Sequence, residues 1–341
     1  MKKLVSLTLV SALALLLLGG CAQNAGQTTP APAASSPGAP VSAAPAGELK
    51  WPEKPITVII PYSPGGDTDF NARAFLTYLT DELGQPVVGS NVEGSSGTIA
   101  SRQVKDAAPD GYTVLFSHTA MNVNEMVGIA DFGMDDFEIA CISGRSPGEI
   151  ITMRADSGIK TLDELKAYTE EHPYELDCAI NFGTMVNING LQMQDAGIKV
   201  NLIDAGSASE RVAALAGGHC DIIINAYGNV KDYLETGEFV ALATNGTERA
   251  EGFADIPTAK EQGYDIYLDK HYFFAFPKGT DSAIVEKFAA AIQSAVENPD
   301  YQNDIMTAYS QDPFYASTEE GLELMQETKD YIWTFQEKMG G

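Results

Sequence analysis

The sequence predicts an α/β fold built on mixed, mostly parallel sheets, and three observations carry that expectation. Short runs rich in β-branched and aromatic residues alternate with stretches of helical apolar spacing. Turns rich in glycine, proline, asparagine or aspartate separate the two kinds of run. The chain beyond residue 48 is long enough for two domains, and its runs fall into two similar units that change over around residues 144–148. Strands that alternate with helices are joined by crossovers, which favours neighbours running the same way.

Residues 1–21 precede that fold. Lys2 and Lys3 stand before the apolar run 4–18, and Leu18-Gly-Gly-Cys21 closes it. A basic start, a short apolar core and a small-residue exit form an export signal. The run is too short to favour a spanning helix. Residues 22–48 follow, without a charged residue until Glu48 and dominated by Ala, Pro, Ser, Gly, Thr and Gln. Such a segment cannot bury enough apolar surface to order itself. It reads as a disordered tether with a reach on the order of 30 Å.

The formal charge is −26, from 21 Lys and Arg against 47 Asp and Glu. Loss of Lys2 and Lys3 with the leader would make it more negative still. Nucleic acid is excluded as a partner, because its binding needs clustered Lys and Arg. The same field repels small anions at long range, so a bound anion needs a local site of dipoles. Cys141, Cys178 and Cys220 have neither CxxC nor metal-ligand spacing and read as buried small apolar residues, with room for one disulfide. His118, His172, His219 and His271 form no HExxH-like cluster, and the sequence offers no cofactor or metal motif.

The elements then follow in order. Residues 56–60 are a β-branched run and read as a buried strand. Pro61, Pro64, Gly65 and Gly66 stop it, Asp67, Thr68 and Asp69 offer capping oxygens, and Phe70, Ala74, Phe75 and Leu79 continue at helical spacing. A glycine turn feeding a helix start presents free N–H groups and the positive end of a dipole, which can hold a carboxylate or phosphate. The alternative is an ordinary strand-to-helix turn, since the motif is neither a P-loop nor a full GxGxxG. A helix is expected at 99–105 and strands at 112–116 and 137–142, with Ser117, His118, Thr119 and Ala120 in the loop where ligand-facing groups of open sheets gather. In the second unit, strands are expected at 149–153, 176–180, 199–203, 221–225 and 239–244. Helices are expected from the capping-box spacing at Thr161 to about 171, from the polar turn at Asn181 through 194, and at 209–216. A last strand at 272–276 precedes helices at 281–297 and from Ser317 to about 335.

Several stretches resemble one family. In order they are Trp51-Pro-x-x-Pro-Ile, Pro61-Tyr-x-x-Gly-Gly-x-Thr-Asp-x-x-Ala-Arg73, Leu83-Gly-Gln-Pro-Val-Val88, Ala108-Pro-Asp-Gly-Tyr-Thr-Val-Leu115, Lys160-Thr-Leu-x-Glu-Leu165, Ala214-Leu-Ala-Gly-Gly-x-x-Asp221 and Ile256-Pro-Thr-Ala-x-Glu-x-Gly-Tyr264. Each is weak alone, but their order and spacing resemble the substrate-binding proteins of tripartite tricarboxylate transporters, the TctC-like or Bug receptors, from Trp51 to the C-terminus. The resemblance implies a two-lobed, periplasmic-binding-protein-like fold, with residues 49–144 plus 265–341 in the first lobe and 145–264 in the second. It implies a small carboxylate (a dicarboxylate, tricarboxylate, aromatic acid or amino acid) bound in the cleft and delivered to a membrane permease, by a monomer without cofactor or chemistry of its own. Leu18-Gly-Gly-Cys21 resembles a lipobox, which implies a lipidated Cys21 and an extracytoplasmic, membrane-anchored protein.

By position the resemblance assigns the first ligand loop to Tyr62, Ser63, Pro64, Gly65, Gly66, Asp67, Thr68 and Asp69, and a neighbouring loop to Ser117, His118, Thr119 and Ala120. It assigns the second-lobe loop to Asn181, Phe182, Gly183, Thr184 and Asn187, with Ala205 and Gly206 where the family often carries Tyr-Lys-Gly. The chain departs from the pattern at Asp67, where a small residue is usual, in the Asn181-Phe-Gly-Thr-Met-Val-Asn187 loop, and at Ala205 and Gly206. Asp67 and Asp69 are expected to meet a ligand ammonium or a cation, or, in Asp67's case, to cap the helix facing solvent. Phe182 is expected to stack on a ligand or pack between lobes. Two other functions remain open on the sequence: a sensor presenting its closed form to a membrane kinase, and, more remotely, a hydrolase using Ser63, Ser95, Ser117 or His118, although no nucleophile elbow is present.

Overall fold

A computed structural model describes residues 49–340. The leader, the tether and Cys21 lie outside the described residues. Two five-stranded sheets organise the rest. The first begins with β1 (Ile56–Ile60), buried at every position but Thr57. Next come α1 (Asp67–Leu83), β2 (Val87–Asn91), α2 (Thr98–Lys105), β3 (Thr113–His118), α3 (Ala120–Met126) and β4 (Phe137–Arg145). The chain crosses through 146–148 into the second sheet, formed by β5 (Glu149–Arg154), α4 (Leu162–Glu171), β6 (Asp177–Ile180), α5 (Met185–Asp195), β7 (Asn201–Asp204), α6 (Ala208–Ala216), β8 (Ile222–Ala226), α7 (Tyr227–Glu235) and β9 (Phe239–Thr244). It returns as β10 (His271–Pro277) and ends with α8 (Ser282–Glu297), α9 (Pro299–Tyr309), α10 (Thr318–Trp333) and α11 (Gln336–Met339).

The strand orders are β2-β1-β3-β10-β4 and β7-β6-β8-β5-β9. In each sheet four strands run one way, and the reversed one (β10 or β5) pairs antiparallel with both neighbours. Each reversed strand is the first to enter its sheet after a crossing, so the crossings themselves create the mixed character.

Local chemistry fixes the helix ends. Thr161, Ser207, Asp281, Asn298 and Ser317 accept hydrogen bonds from the exposed N–H groups of α4, α6, α8, α9 and α10. Gly84 closes α1 in the left-handed region at φ 67°. The first lobe's main core sets Phe75, Phe116, Phe274, Phe276, Phe288 and Tyr301 between the sheet and α1, α8 and α9. Each such ring contributes about 1.5–3 kcal/mol by leaving water. The second core packs Ile151, Ile180, Ile222 and Ile224 against α4 and α5. A smaller apolar cluster joins the lobes: Ala120, Val123 and Met126 of α3 meet Met185 and Ile188 of α5, with Leu268, Ile332 and Phe335.

The expected strands and helices are all present, most of their ends within three residues of the expected positions. The chain also forms β2, α3, α7 and α9, which the sequence patterns did not predict. Cys141, Cys178 and Cys220 are all buried free thiols.

Candidate functional site

The first ligand-loop expectation rested on a strand, a glycine turn and a helix start, and β1 and α1 supply that unit. Gly65 takes φ +82°, a left-handed value that glycine adopts without strain. Gly66, not Asp67, is the N-cap of α1, so the α1 terminus has no side-chain cap. Asp69 holds the turn together: its Oδ2 accepts from the Gly65 N–H at 3.0 Å and its Oδ1 from Arg73 Nε at 2.7 Å and Asn91 Nδ2 at 2.8 Å.

Two further helices start at the same place. The N-terminus of α5 is capped by Thr184 without a side-chain hydrogen bond, and that of α6 by Ser207 in a capping box with Glu210. Residues at all three starts line one cavity of about 40 Å³: Gly66, Asp67 and Thr68 from α1, Thr184, Met185 and Val186 from α5, and Ser207 and Ala208 from α6. That is room for roughly three waters at about 10–15 Å³ each. The first N–H groups of each helix lack intrahelical partners, and each terminus carries roughly half a positive charge. The three starts therefore form a positive, N–H-rich wall.

Four buried charges complete the wall. Lys270, next to β10, donates from Nζ to Asp67 Oδ2 at 2.7 Å and to Glu149 Oε1. Tyr272 also donates to Asp67 Oδ2, at 2.6 Å. Asp67 belongs to the first lobe, Glu149 opens β5 in the second, and Lys270 lies on the return crossing. One ammonium therefore ties the lobes together beside the cavity. Burial alone would raise the Asp67 pKa, but Lys270 and the bonds from Lys270 and Tyr272 hold it well below the carboxylate range. Burial would lower that of Lys270, and Asp67 and Glu149 outweigh it to raise it.

The fourth charge is Arg211 of α6, 4% exposed. It donates to Asn225 Oδ1, Gly206 O and Ile224 O. Every acceptor is neutral, and among the described residues no carboxylate lies within salt-bridge distance. Burial pushes its pKa down and the Glu149 and Asp67 carboxylates push it back. Two of a guanidinium's five N–H donors are left over, in a residue that lines the cavity.

His118 also lines the cavity, stacked on Tyr62 with centroids 5.1 Å apart, and its Nδ1 accepts from the Ala120 N–H. Burial, reinforced by Lys270, lowers its pKa to about 3, so the ring is neutral near pH 7. Ser63 lines the cavity with a buried hydroxyl that has no partner among the described residues.

Of the positions assigned from sequence, the cavity gathers Tyr62, Ser63, Gly66, Asp67, Thr68, His118, Asn181 and Thr184. The others stand apart from it. Pro64, Gly65 and Asp69 build the turn. Ser117 and Thr119 are buried beside β10, and Ala120 and Asn187 lie within α3 and α5. Phe182 is 51% exposed and is not among the residues lining the cavity. Its carbonyl and Asn181 Oδ1 accept from Ser96 Oγ across the cleft. Gly183, at φ +73°, faces Ile129. Ala205 and Gly206 form the approach to α6, where the Gly206 carbonyl holds Arg211. The solvent-facing alternative for Asp67 is overturned: it is 8% exposed and bound to Lys270 and Tyr272.

Lys270, Glu149, Arg211, Met185, Val186, Ser207 and Ala208 were missed. Ser207-Ala-Ser-Glu210 has capping-box spacing and could have marked the third helix start. Lys270 and Glu149 belong to no local sequence motif that would have marked them.

A polar cavity held between two α/β lobes, with a charge from each lobe at its wall, is the arrangement of a two-lobed solute-binding protein. Residues 72–340 match the family described as the tripartite tricarboxylate transporter family receptor. A UPF0065 protein in the gbd 5′ region of Cupriavidus necator is 30% identical over 85% of this chain and 89% of its own length. The structure of the periplasmic binding protein BugD superposes with a TM-score of 0.79 at 24% identity, covering 85% of this chain and 99% of that one. MatC from Rhodopseudomonas palustris, solved with bound malate, gives 0.76 at 23% identity over 84% of this chain and 100% of that one. The chain belongs to the tripartite tricarboxylate transporter receptor family, whose members are receptors and not enzymes.

Proposed function

We propose that this chain is an extracytoplasmic receptor that binds a small carboxylate between its lobes and hands it to the membrane permease of a tripartite tricarboxylate transporter. The observation that carries the reading is the convergence of the α1, α5 and α6 N-termini on one cavity with Arg211. A carboxylate placed there takes N–H donors from three helices and a charge-assisted pair from a guanidinium that has no carboxylate of its own. MatC, of the same fold, was solved with malate, which supports this ligand class.

The lobes are residues 49–144 with 265–341, and 145–264. In the first lobe Tyr62, Ser63, Gly66, Asp67, Thr68 and His118 form the ligand wall. Asn181, Thr184 and Arg211 form it in the second. The cavity is about 40 Å³ in this conformation, so the lobes part to admit a ligand and settle around it at a wider spacing. Cys21 carries the lipid that keeps the receptor at the membrane.

Calorimetry with a panel of mono-, di- and tricarboxylates tests the reading. A ligand in the nanomolar-to-micromolar range is expected. Arg211→Lys keeps the charge but loses the planar fork, and weakens binding roughly 10- to 100-fold, matching about 1.5–3 kcal/mol for a charged hydrogen bond. A panel without a binder, or unchanged affinity in Arg211→Lys, would sink the proposal.

A further inference from the structure

Glu149 has one oxygen engaged and one idle. Its Oε1 accepts from Lys270, while Oε2 is buried and has no donor among the described residues. The residue is 6% exposed and lines the cavity. Asp67 differs, because Lys270 and Tyr272 both donate to it. A carboxylate oxygen kept from water without a donor is costly, and such an atom in a native site calls for an explanation.

The sheet fixes what stands beside it. Glu149 pairs with Ala226 across β5 and β8, and the next residue along, Asn225, accepts from Arg211 Nε. The cavity wall thus sets an anionic hydrogen-bond acceptor near a guanidinium with two spare donors. A ligand that is only anionic satisfies Arg211 but turns negative charge toward Glu149. A ligand with an ammonium beside its carboxylate satisfies both.

Resting on the carboxylate-receptor reading, we infer that the ligand is an amino acid or a similar amine-bearing carboxylate, its carboxylate held by Arg211 and the helix starts and its ammonium by Glu149 Oε2. Glu149 is then the residue that sets specificity for the amine. Lys270 takes no part in recognition: it holds Glu149 Oε1 and so leaves Oε2 for the ligand.

The test uses matched acids that differ only by the amine: L-aspartate with succinate, L-glutamate with glutarate, L-alanine with propionate, and L-phenylalanine with 3-phenylpropionate. Each is titrated calorimetrically into the full chain and into Glu149→Gln. That variant keeps an oxygen for Lys270 and replaces the idle acceptor with a donor, and its melting temperature reports whether the fold is kept. At least one amine-bearing acid is expected to bind ten-fold or more tighter than its partner, and Glu149→Gln should bring the two within about two-fold. If the deaminated acids bind as tightly as their partners, or if Glu149→Gln keeps the preference, the inference falls and the carboxylate reading stands. If no acid of either kind binds, both fall together.

Discussion

Replacing Lys270 with methionine removes the one cation between two buried carboxylates. At 2.7 Å and an effective dielectric near 20, the attraction of Lys270 to Asp67 alone is about 6 kcal/mol. Part of that offsets the cost of burying the ions, several kcal/mol each. The side chains are only 6% and 11% exposed, so solvent screens them little. Lys270→Met leaves Asp67 and Glu149 facing each other without a counter-charge, and breaking a buried pair this way costs about 3–5 kcal/mol. For a chain of this size that lowers the melting temperature on the order of 10 °C. Asp67→Asn should cost much less, because Lys270 keeps Glu149 as its partner. The pH response should also reverse sign. In the parent the Asp67 pKa is depressed, so its contribution is present above the unfolded carboxylate pKa and is lost as pH falls below it. In Lys270→Met burial favours the protonated acid at Asp67, so the variant's deficit relative to the parent shrinks as pH falls from 8 toward 5. Urea denaturation of the parent and both variants across that range measures the difference. Lys270→Met within about 1 kcal/mol of the parent at pH 7, or less stable than the parent by a smaller margin than Asp67→Asn, would refute the reasoning.

Other outcomes are expected as well. Burial lowers the pKa of His118 to about 3 and of His271 to about 4, so both are neutral in the fold and protonated when unfolded below about pH 6.5. Their contribution is present above that pH and is lost as pH falls, at about 1.4 kcal/mol per pH unit for each ring; a flat denaturation profile from pH 6.5 to 4.5 would contradict this. A Cβ at Gly228 would stand 2.5–2.7 Å from three ring atoms of Tyr309, itself stacked on Phe70 at 4.4 Å, so Gly228→Ala meets a ring with little room to retreat. Overpacking of about 1–3 kcal/mol should exceed the gain of up to about 1 kcal/mol from alanine in a helix, and small-angle scattering should show the lobes further apart. Ser317→Ala removes the α10 cap and should cost about 1 kcal/mol in thermal denaturation with ligand affinity unchanged.

The fold was legible where burial is one-sided. Residues 56–60 and 272–276 are β-branched or aromatic runs, and α8 shows Ile284, Phe288, Ile292 and Val296 on a single face. The missed helices lack that contrast. α3 is buried on nearly every side and so has no polar face, whereas α7 buries only Val230. The candidate site was legible where backbone does the work, at the glycine turn before α1. It was opaque where recognition depends on charges brought together over long separations. Lys270 and Asp67 are 203 residues apart, and no local pattern distinguishes them from solvated surface charges. Asp69 was misjudged for the opposite reason, since its partners, Gly65 and Arg73, are close in sequence and bind it to the turn.

The tie through Lys270 also bears on how such a receptor diverges. The same ammonium orients a ligand-facing carboxylate and fastens one lobe to the other. A substitution that suits a new solute at Asp67 or Glu149 therefore also changes how readily the lobes part. Solute choice and lobe closure are therefore coupled through one residue, and a change of solute calls for compensating substitutions elsewhere. The apolar seam between α3 and α5 is the natural place for them, because it meets the opposite lobe without touching the charges.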